Sequence, residues 1–302
     1  MPASRRGRIR TLAAWAAATA LVAGVALAGC DAEPERGPGV AARPSPSPKP
    51  TPEWDTSPAS VAAVGDSITR GFDACGVLVD CPEVSWATGG DARVNSLARR
   101  LLGPAALPAR SWNLARSGAR AAELPTQMAR AAAKRPGLVT VMVGANDACR
   151  DSTALMTPVP DFRASLTEAM RELREVSPKS QVYVSSVPDL KRLWSTGRGS
   201  AIGKQVWKLG VCASMLGNAD DLGPAATERR EQVYRRVVAY NEALREVCAK
   251  DRLCRYDGGA VFDFRFTGEQ LSPWDWFHPG LDGQERLADI AYAKVTEGGG
   301  DG

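Results

Sequence analysis

The chain has 302 residues, of which 24% are charged, and it carries 38 Lys and Arg against 34 Asp and Glu. Four of the basic residues lie within the first ten positions, so the rest of the chain carries 34 residues of each sign. This balance excludes the basic surface typical of nucleic-acid-binding proteins. The single histidine and the lack of C-x-x-C or H-E-x-x-H spacings argue against a zinc site, and we expect no metal or cofactor.

The first 29 residues have the composition of a secretory signal peptide. Four arginines precede an apolar run at residues 12–27 that contains no charge. This run is shorter than the roughly 20 residues that a membrane-spanning helix needs, so a cleaved signal is predicted. Arg5 and Arg6 match only part of the twin-arginine export pattern, and the export route stays open.

The apolar run ends in Leu27-Ala28-Gly29-Cys30, which resembles the lipobox of bacterial lipoproteins. The resemblance implies cleavage before Cys30 and acylation of its thiol and amine. The protein would then be extracytoplasmic and anchored by lipid to the outer face of the bacterial cell membrane. The alternative is a plain signal peptide with a coincidental cysteine.

The sequence divides the rest of the chain into three parts. Residues 30–56 contain the stretch P-S-P-S-P-K-P-T-P and are predicted to form a disordered linker. Residues 57–297 are long enough for one sizeable domain, and residues 298–302 are predicted to be a flexible tail. Six cysteines remain besides Cys30, and an even number in an exported chain favours disulfides. Sequence alone allows 15 pairings; proximity favours Cys75 with Cys81 and Cys248 with Cys254, which would leave Cys149 with Cys212.

Short apolar runs alternate with segments of helical periodicity along the domain. Strands are predicted at residues 60–65, 111–115, 138–143, 180–187 and, more weakly, 261–264. Helices are predicted at residues 93–102, 119–134, 162–176, 227–249 and 281–295. Residues 191–224 fit no element and are expected to form a long loop. The alternation predicts an α/β fold with a parallel sheet between two layers of helices.

Polar residues and glycines follow the first three predicted strands. The blocks are G-D-S-I-T at residues 65–69, N-L-A-R-S-G at 113–118 and G-A-N-D at 144–147. A fourth block, D-W-F-H-P at residues 275–279, contains the only histidine. Ligands of open parallel sheets bind at the carboxyl ends of the strands, so the first three blocks are expected to meet there.

These four blocks, in this order, resemble those of the GDSL or SGNH hydrolase family, which comprises serine esterases and lipases on a flavodoxin-like sheet. The resemblance covers about residues 61–288. It implies a nucleophile at Ser67 and a base at His278 that is oriented by Asp275. It also implies an oxyanion hole made by the backbone N–H groups of Ser67 and Gly118 and the side-chain amide of Asn146. The sequence departs from the family name at position 68, where isoleucine replaces leucine.

Elementary chemistry supports these roles. A serine hydroxyl is a poor nucleophile until a base removes its proton, and histidine titrates near neutrality. A carboxylate on the other ring nitrogen fixes the tautomer of the histidine. Asp275 can reach His278 within one turn, and Asp263 and Asp282 are alternative partners. We expect two other carboxylates near the blocks to stabilise turns, namely Asp66 and Asp147.

The sequence therefore predicts a secreted, membrane-anchored serine ester hydrolase that acts as a monomer on an acyl lipid or an acetylated glycan. One alternative is a deacetylase of O-acetylated polysaccharide or peptidoglycan. An alternative outside the enzyme class is a surface lipoprotein that binds the cell wall. Trp274 and Trp276 either contact the substrate or only pack in the domain.

Overall fold

The computed structural model describes residues 53–298. The predicted signal peptide, Cys30, most of the predicted linker and residues 299–302 lie outside this range. Within residues 53–298, no helix is both long enough and apolar enough to cross a membrane.

A five-stranded parallel sheet forms the centre of the described region. Its strands are β1 (Val61–Gly65), β2 (Ser111–Asn113), β3 (Leu138–Met142), β4 (Gln181–Val184) and β5 (Cys254–Tyr256). They lie side by side in the order β2-β1-β3-β4-β5, and every neighbouring pair is parallel. Every residue of β1 and β3 is buried, as expected for central strands that are covered on both faces. The three-layer, flavodoxin-like arrangement predicted from the sequence is confirmed.

Helices cover both sides of the sheet. They are α1 (Leu97–Leu102), α2 (Leu107–Arg110), α3 (Leu124–Ala132), α4 (Ala145–Ala148), α5 (Val159–Val176), α6 (Leu190–Gly197), α7 (Ala201–Trp207), α8 (Ala213–Leu216), α9 (Pro224–Cys248), α10 (Ala260–Asp263) and α11 (Leu281–Thr296). Helix α5 packs between α3 and α9, whereas α1 packs against α11. The predicted helices therefore exist, but four of the five begin about three to five residues from their predicted start.

The weak strand predicted at residues 261–264 is wrong, because residues 261–263 belong to helix α10. The fifth strand lies earlier, where β5 pairs with β4. The carboxylate of Asp257 accepts hydrogen bonds from the N–H groups of Gly259 and Val261, which starts a helical turn instead of a strand. Strand β5 escaped prediction because its three residues are only half buried and include an arginine.

The long loop expected at residues 191–224 is also wrong, because helices α6, α7 and α8 occupy most of it. Asp189 and Ser200 cap the first two of these helices by accepting backbone hydrogen bonds at their N-termini. Arg230 of α9 is buried and donates hydrogen bonds to the carbonyl groups of Met215, Asn218 and Asp221. Its guanidinium therefore fixes the chain between α8 and α9.

The structure contains the three disulfides that were predicted, Cys75–Cys81, Cys149–Cys212 and Cys248–Cys254. The first closes a small loop after β1, and the third joins the end of α9 to β5. The second has the largest sequence separation, 63 residues, and joins the end of α4 to the start of α8. It thereby ties the helices of residues 190–216 to the carboxyl end of the sheet.

Candidate active site

Ser67 lies in the turn that follows β1. Gly65, the last residue of β1, has φ +145°, and a Cβ at this position would lie 2.1 Å from the carbonyl oxygen of Met142. Only glycine permits this close approach of β1 and β3. The side chain of Gln127 on α3 accepts a hydrogen bond from Gly65 N at 2.7 Å and donates one to Gly65 O at 3.0 Å. The sheet and α3 together fix the backbone that carries Ser67.

Ser67, His278 and Asp275 form a continuous chain of hydrogen bonds. The Ser67 Oγ and His278 Nε2 atoms are 2.9 Å apart, and His278 Nδ1 lies 2.5 Å from Asp275 Oδ2. An ionised carboxylate can only accept hydrogen bonds, so Nδ1 carries the ring hydrogen of the neutral histidine and Nε2 is free to accept the hydroxyl hydrogen. The arrangement is that of a nucleophile, a base and an orienting acid.

Backbone contacts fix the acid and the base relative to each other. Asp275 Oδ1 accepts hydrogen bonds from the N–H groups of Phe277 and His278, at 2.9 and 3.0 Å. The indole N–H of Trp207 on α7 donates to the carbonyl oxygen of Asp275 at 2.7 Å. Ser272 N donates to the carbonyl oxygen of His278 at the same distance, 2.7 Å. The region that resembled a loop in sequence therefore supports the backbone of Asp275.

The alternative partners of His278 lie elsewhere. Asp263 is the last residue of α10, and Asp282 belongs to the first turn of α11. Neither contacts the histidine ring within the described part of the chain. Asp275 is the carboxylate that the fold places on His278.

The charges of Asp275 and His278 stabilise each other. Burial acts most strongly on the pKa of His278 and lowers it, but the charge and the hydrogen bond of the Asp275 carboxylate lead the effects that raise this pKa above its ordinary value. Burial likewise acts to raise the pKa of Asp275, yet the charge and hydrogen bonds of His278 bring it below its ordinary value. The site therefore favours an imidazolium facing a carboxylate, which is the ion pair that proton transfer from a serine creates.

Gly118 and Asn146 lie at the same edge of the sheet as Ser67. Gly118 follows β2 with φ +78°, and no other atom lies within 4 Å of the place where its Cβ would be. Asn146, in α4 after β3, donates one amide hydrogen to the carbonyl oxygen of Ala119 at 3.1 Å, which leaves a second amide hydrogen. In residues 53–298, the backbone N–H groups of Ser67 and Gly118 donate to no protein acceptor. These groups can therefore serve as donors to an oxyanion.

The two carboxylates assigned to turns do hold turns. Asp66 Oδ1 accepts a hydrogen bond from Ile68 N at 3.0 Å, and Asp147 Oδ2 accepts one from Ala121 N at 2.9 Å. Asp66 is also buried, and burial raises its pKa to about 7. Sequence reasoning found both residues but gave no sign that Asp66 titrates near neutrality.

Sequence reasoning missed another carboxylate, that of Asp73, which lies beside Asp275 and His278. One carboxylate oxygen of Asp73, one of Asp275 and one ring nitrogen of His278 lie within 4.8 Å of one another. Such a set could hold a cation in principle, but both ring nitrogens of His278 are already hydrogen-bonded to protein. A second set, Cys75, Cys81 and Glu83, offers no thiolate because its cysteines form a disulfide. Only proximity to Ser67 in sequence could have suggested Asp73.

The two tryptophans beside Asp275 differ in their surroundings. Trp276 has φ +53°, and its atoms lie against the backbones of Gly197, Gly203 and Gly268. Trp274 is 43% exposed and borders an open depression of about 370 Å³ that is also lined by Arg93, Glu269 and Asp282. Trp276 therefore packs inside the domain, whereas Trp274 is available to a ligand.

Comparison with known proteins identifies the family of the chain. The GDSL-like Lipase/Acylhydrolase family matches residues 63–286, which is more than half of the chain. No curated protein sequence matches the chain.

Solved structures with a similar chain path show low sequence identity. A candidate GDSL-like lipase from Parabacteroides merdae is 17% identical, with 82% of this chain and 99% of that chain covered and a TM-score of 0.49. An active-site mutant of a family two carbohydrate esterase from Clostridium thermocellum is 13% identical, with 80% and 64% covered and a TM-score of 0.49. A lipase from a goat rumen metagenome is 16% identical, with 78% and 96% covered and a TM-score of 0.48.

The family match extends from within β1 into the first part of α11 and so includes Ser67, Gly118, Asn146, Asp275 and His278. The strand order and the position of these residues at the carboxyl ends of the strands and before α11 agree with that match. The chain belongs to the GDSL-like lipase/acylhydrolase family.

Proposed function

We propose that this protein is a serine ester hydrolase that acts through an acyl intermediate on Ser67. The observation that carries the proposal is the unbroken hydrogen-bond chain from Asp275 through His278 to Ser67. A chain of this kind activates a hydroxyl only when the base is neutral and its second nitrogen is held by an acceptor. Asp275 Oδ2 is the acceptor that holds Nδ1, and His278 is neutral at pH values above its raised pKa.

In the first half of the reaction, Ser67 Oγ attacks the carbonyl carbon of the ester. Its proton passes to His278 Nε2 as the new C–O bond forms and the carbonyl oxygen becomes an anion. The resulting imidazolium faces the carboxylate of Asp275, which stabilises it. Collapse of the tetrahedral intermediate breaks the bond to the alcohol, and the alcohol leaves with the proton from Nε2.

In the second half, water replaces the alcohol. His278 Nε2 takes a proton from the water as its oxygen attacks the acyl-enzyme, and a second tetrahedral intermediate forms. Collapse releases the carboxylic acid and returns the proton to Ser67 Oγ. The N–H groups of Ser67 and Gly118 and the free amide hydrogen of Asn146 are the donors that we assign to the oxyanion in both halves.

We further propose that the protein is exported and anchored through acylated Cys30, with residues 30–56 as a spacer, and that it acts as a monomer. The uncharged run at residues 12–27 and the lipobox-like ending support this location. Detergent phase partitioning of the wild-type protein and of Cys30→Ala tests the anchor. Equal partitioning of the two proteins would refute it.

Two surface features favour different esters. Exposed Trp274 beside the depression with Arg93 and Glu269 supports a sugar ring as the alcohol, and hence deacetylation of a polysaccharide or peptidoglycan. Exposed Val77 and Leu78, in the loop closed by Cys75–Cys81, support contact with an acyl chain instead. Hydrolysis rates on p-nitrophenyl esters of increasing chain length, and on acetylated xylan and peptidoglycan, distinguish a preference for a long acyl chain from a preference for an acetylated sugar.

The variant Ser67→Ala tests the proposed chemistry. It removes the only atom that forms the acyl bond, so hydrolysis of p-nitrophenyl acetate should fall by at least about 10³-fold. Ser165→Ala is the matched control, because the Ser165 hydroxyl only bonds its own helix at the carbonyl oxygen of Asp161. Full activity in Ser67→Ala would refute the proposal. Inactivity of the wild-type protein on every ester would favour a cell-wall-binding lipoprotein.

A further inference from the structure

Asp73 is a buried carboxyl group that the reaction described above does not use. It lies six positions after Ser67, and 1% of the residue is exposed. One oxygen of its carboxyl group lies within 4.8 Å of an oxygen of Asp275 and of a ring nitrogen of His278. The charged groups that act on it are Asp275 and His278. Two largely buried acids therefore share one base.

The chain holds the Asp73 side chain toward this pair. Asp73 has φ +58°, a left-handed conformation that is rare for residues other than glycine and persists only where contacts enforce it. Its N–H donates to the carbonyl oxygen of Val79 at 3.0 Å, and its carbonyl oxygen accepts from Ser272 Oγ at 2.7 Å. Its Oδ1 accepts from Leu78 N at 2.5 Å. The carboxyl group is thereby fixed on the loop that the Cys75–Cys81 disulfide closes.

The hydrogen-bonding requirements of the three groups fix where one proton lies. Asp275 already accepts three hydrogen bonds, from His278 Nδ1 and from the backbone N–H groups of Phe277 and His278. A single imidazole, even when protonated, balances only one of two buried anions, so ionising both carboxyls would leave an unpaired negative charge. Burial, followed by the charge of Asp275, raises the pKa of Asp73 above its ordinary value. Of the two acids, Asp73 is the one that retains a proton.

We propose that Asp73 is a positioning residue for the hydrolysis, and that its protonated carboxyl donates a hydrogen bond to Asp275 and keeps Asp275 the single anion that faces His278. This inference rests on the proposed function, because it concerns the base of that reaction. Asp73 acts through Asp275 and does not contact the reacting atoms.

The ionisation state of Asp73 determines how the pKa of His278 responds to substitution. Asparagine mimics a protonated aspartate, because its oxygen can accept from Leu78 N and its amide can donate to Asp275. If Asp73 is neutral, Asp73→Asn leaves the pKa of His278 close to that of the wild-type protein. If Asp73 is an anion, the same substitution removes a negative charge from beside the ring and lowers the pKa of His278. The facing carboxylates Asp275 and Asp66 are unchanged in both cases.

The test is a titration of His278 by NMR in the purified wild-type and Asp73→Asn proteins. The chain contains one histidine, so the imidazole signals are unambiguous. We expect equal titration midpoints and a kcat within about twofold of the wild-type value. A midpoint that falls by about one pH unit in Asp73→Asn would overturn the proposal, because it would show that Asp73 is an anion.

The variant Asp73→Ala removes the proton donor. We expect kcat to fall about tenfold with little change in KM, and the His278 midpoint to rise, because Asp275 loses a donor and becomes more basic. A kcat and a midpoint equal to those of the wild-type protein, with only a lower Tm, would reduce Asp73 to a structural residue and overturn the proposal. If Asp73→Ala does not fold, the His278 titration midpoint in Asp73→Asn tests the proposal by itself.

Failure of this inference is distinguishable from failure of the proposed function. Ser67→Ala reports on the function, and it should be inactive whatever the state of Asp73. An inactive Ser67→Ala combined with a shifted midpoint in Asp73→Asn would refute only the role of Asp73.

Discussion

Replacing Asp275 with asparagine should disable the base without removing it. The retained oxygen can still accept the backbone N–H groups of Phe277 and His278, so the loop keeps two of its three hydrogen bonds to this side chain. The amide nitrogen would then face His278 Nδ1, and it can only donate. The neutral ring would have to carry its hydrogen on Nε2, where it could not accept the proton of Ser67.

The magnitude follows from the loss of the correct tautomer. The equivalent substitution in a serine protease triad lowers kcat by about 10⁴-fold, which corresponds to about 5 kcal/mol of transition-state stabilisation. The pKa of His278 should fall as well, because the Asp275 charge is the strongest of the effects that raise it. A base works only when it is unprotonated, so the acid limb of the activity profile should move to lower pH.

The assay is kcat for p-nitrophenyl acetate as a function of pH, measured for the wild-type protein and for Asp275→Asn. Asp263→Asn and Asp282→Asn are matched controls, because these carboxylates have the same chemistry but do not contact the ring. The controls should retain the wild-type kcat and acid limb. If Asp275→Asn stays within about threefold of the wild-type kcat with an unmoved acid limb, Asp275 does not orient the base.

Two further predictions concern the oxyanion site and the disulfide near it. Asn146→Ala should lower kcat about 10²–10³-fold with little change in KM, because it removes one donor to the oxyanion; an unchanged kcat would exclude the amide from this role. Replacing both Cys149 and Cys212 with serine should lower the free energy of unfolding by about 4 kcal/mol, given a sequence separation of 63 residues. Thermal unfolding checks this, and a Tm equal to that of the wild-type protein would show that the disulfide adds no stability.

Much of the fold could be predicted from local pattern. Strands β1 and β3 are continuous apolar runs, and such runs are buried on both faces wherever they lie in a parallel sheet. Strand β5 and helices α6 to α8 could not be predicted in this way. The partner of β5 is β4, about 70 residues earlier in the chain, and the short helices depend on capping and on the contacts of buried Arg230.

In the candidate site, too, some residues could be predicted from sequence and others depend on tertiary contacts. Ser67, Asp275 and His278 were predicted because the resemblance of four sequence blocks to a known family implies their roles, and the structure brings them into hydrogen-bond contact. Gln127, Trp207 and Asp73 were not predicted. Gln127 and Trp207 hydrogen-bond to backbone groups, and Asp73 lies beside a neighbouring carboxylate; such contacts leave no pattern in sequence.

The sequence by itself predicted the alternation of strands and helices, favoured the observed cysteine pairing among the 15 possible ones, and indicated the chemical groups of the site through a family resemblance. These follow from residue type, periodicity and spacing, which are local properties of the chain. Only the tertiary structure decided which carboxylate faces His278, how α7 supports that carboxylate, and that a second acid lies beside it. Those facts depend on burial and on distances between residues that are up to about 200 positions apart, such as the contact of Asp73 with Ser272. A group's protonation state is set by its surroundings, and the fold creates those surroundings.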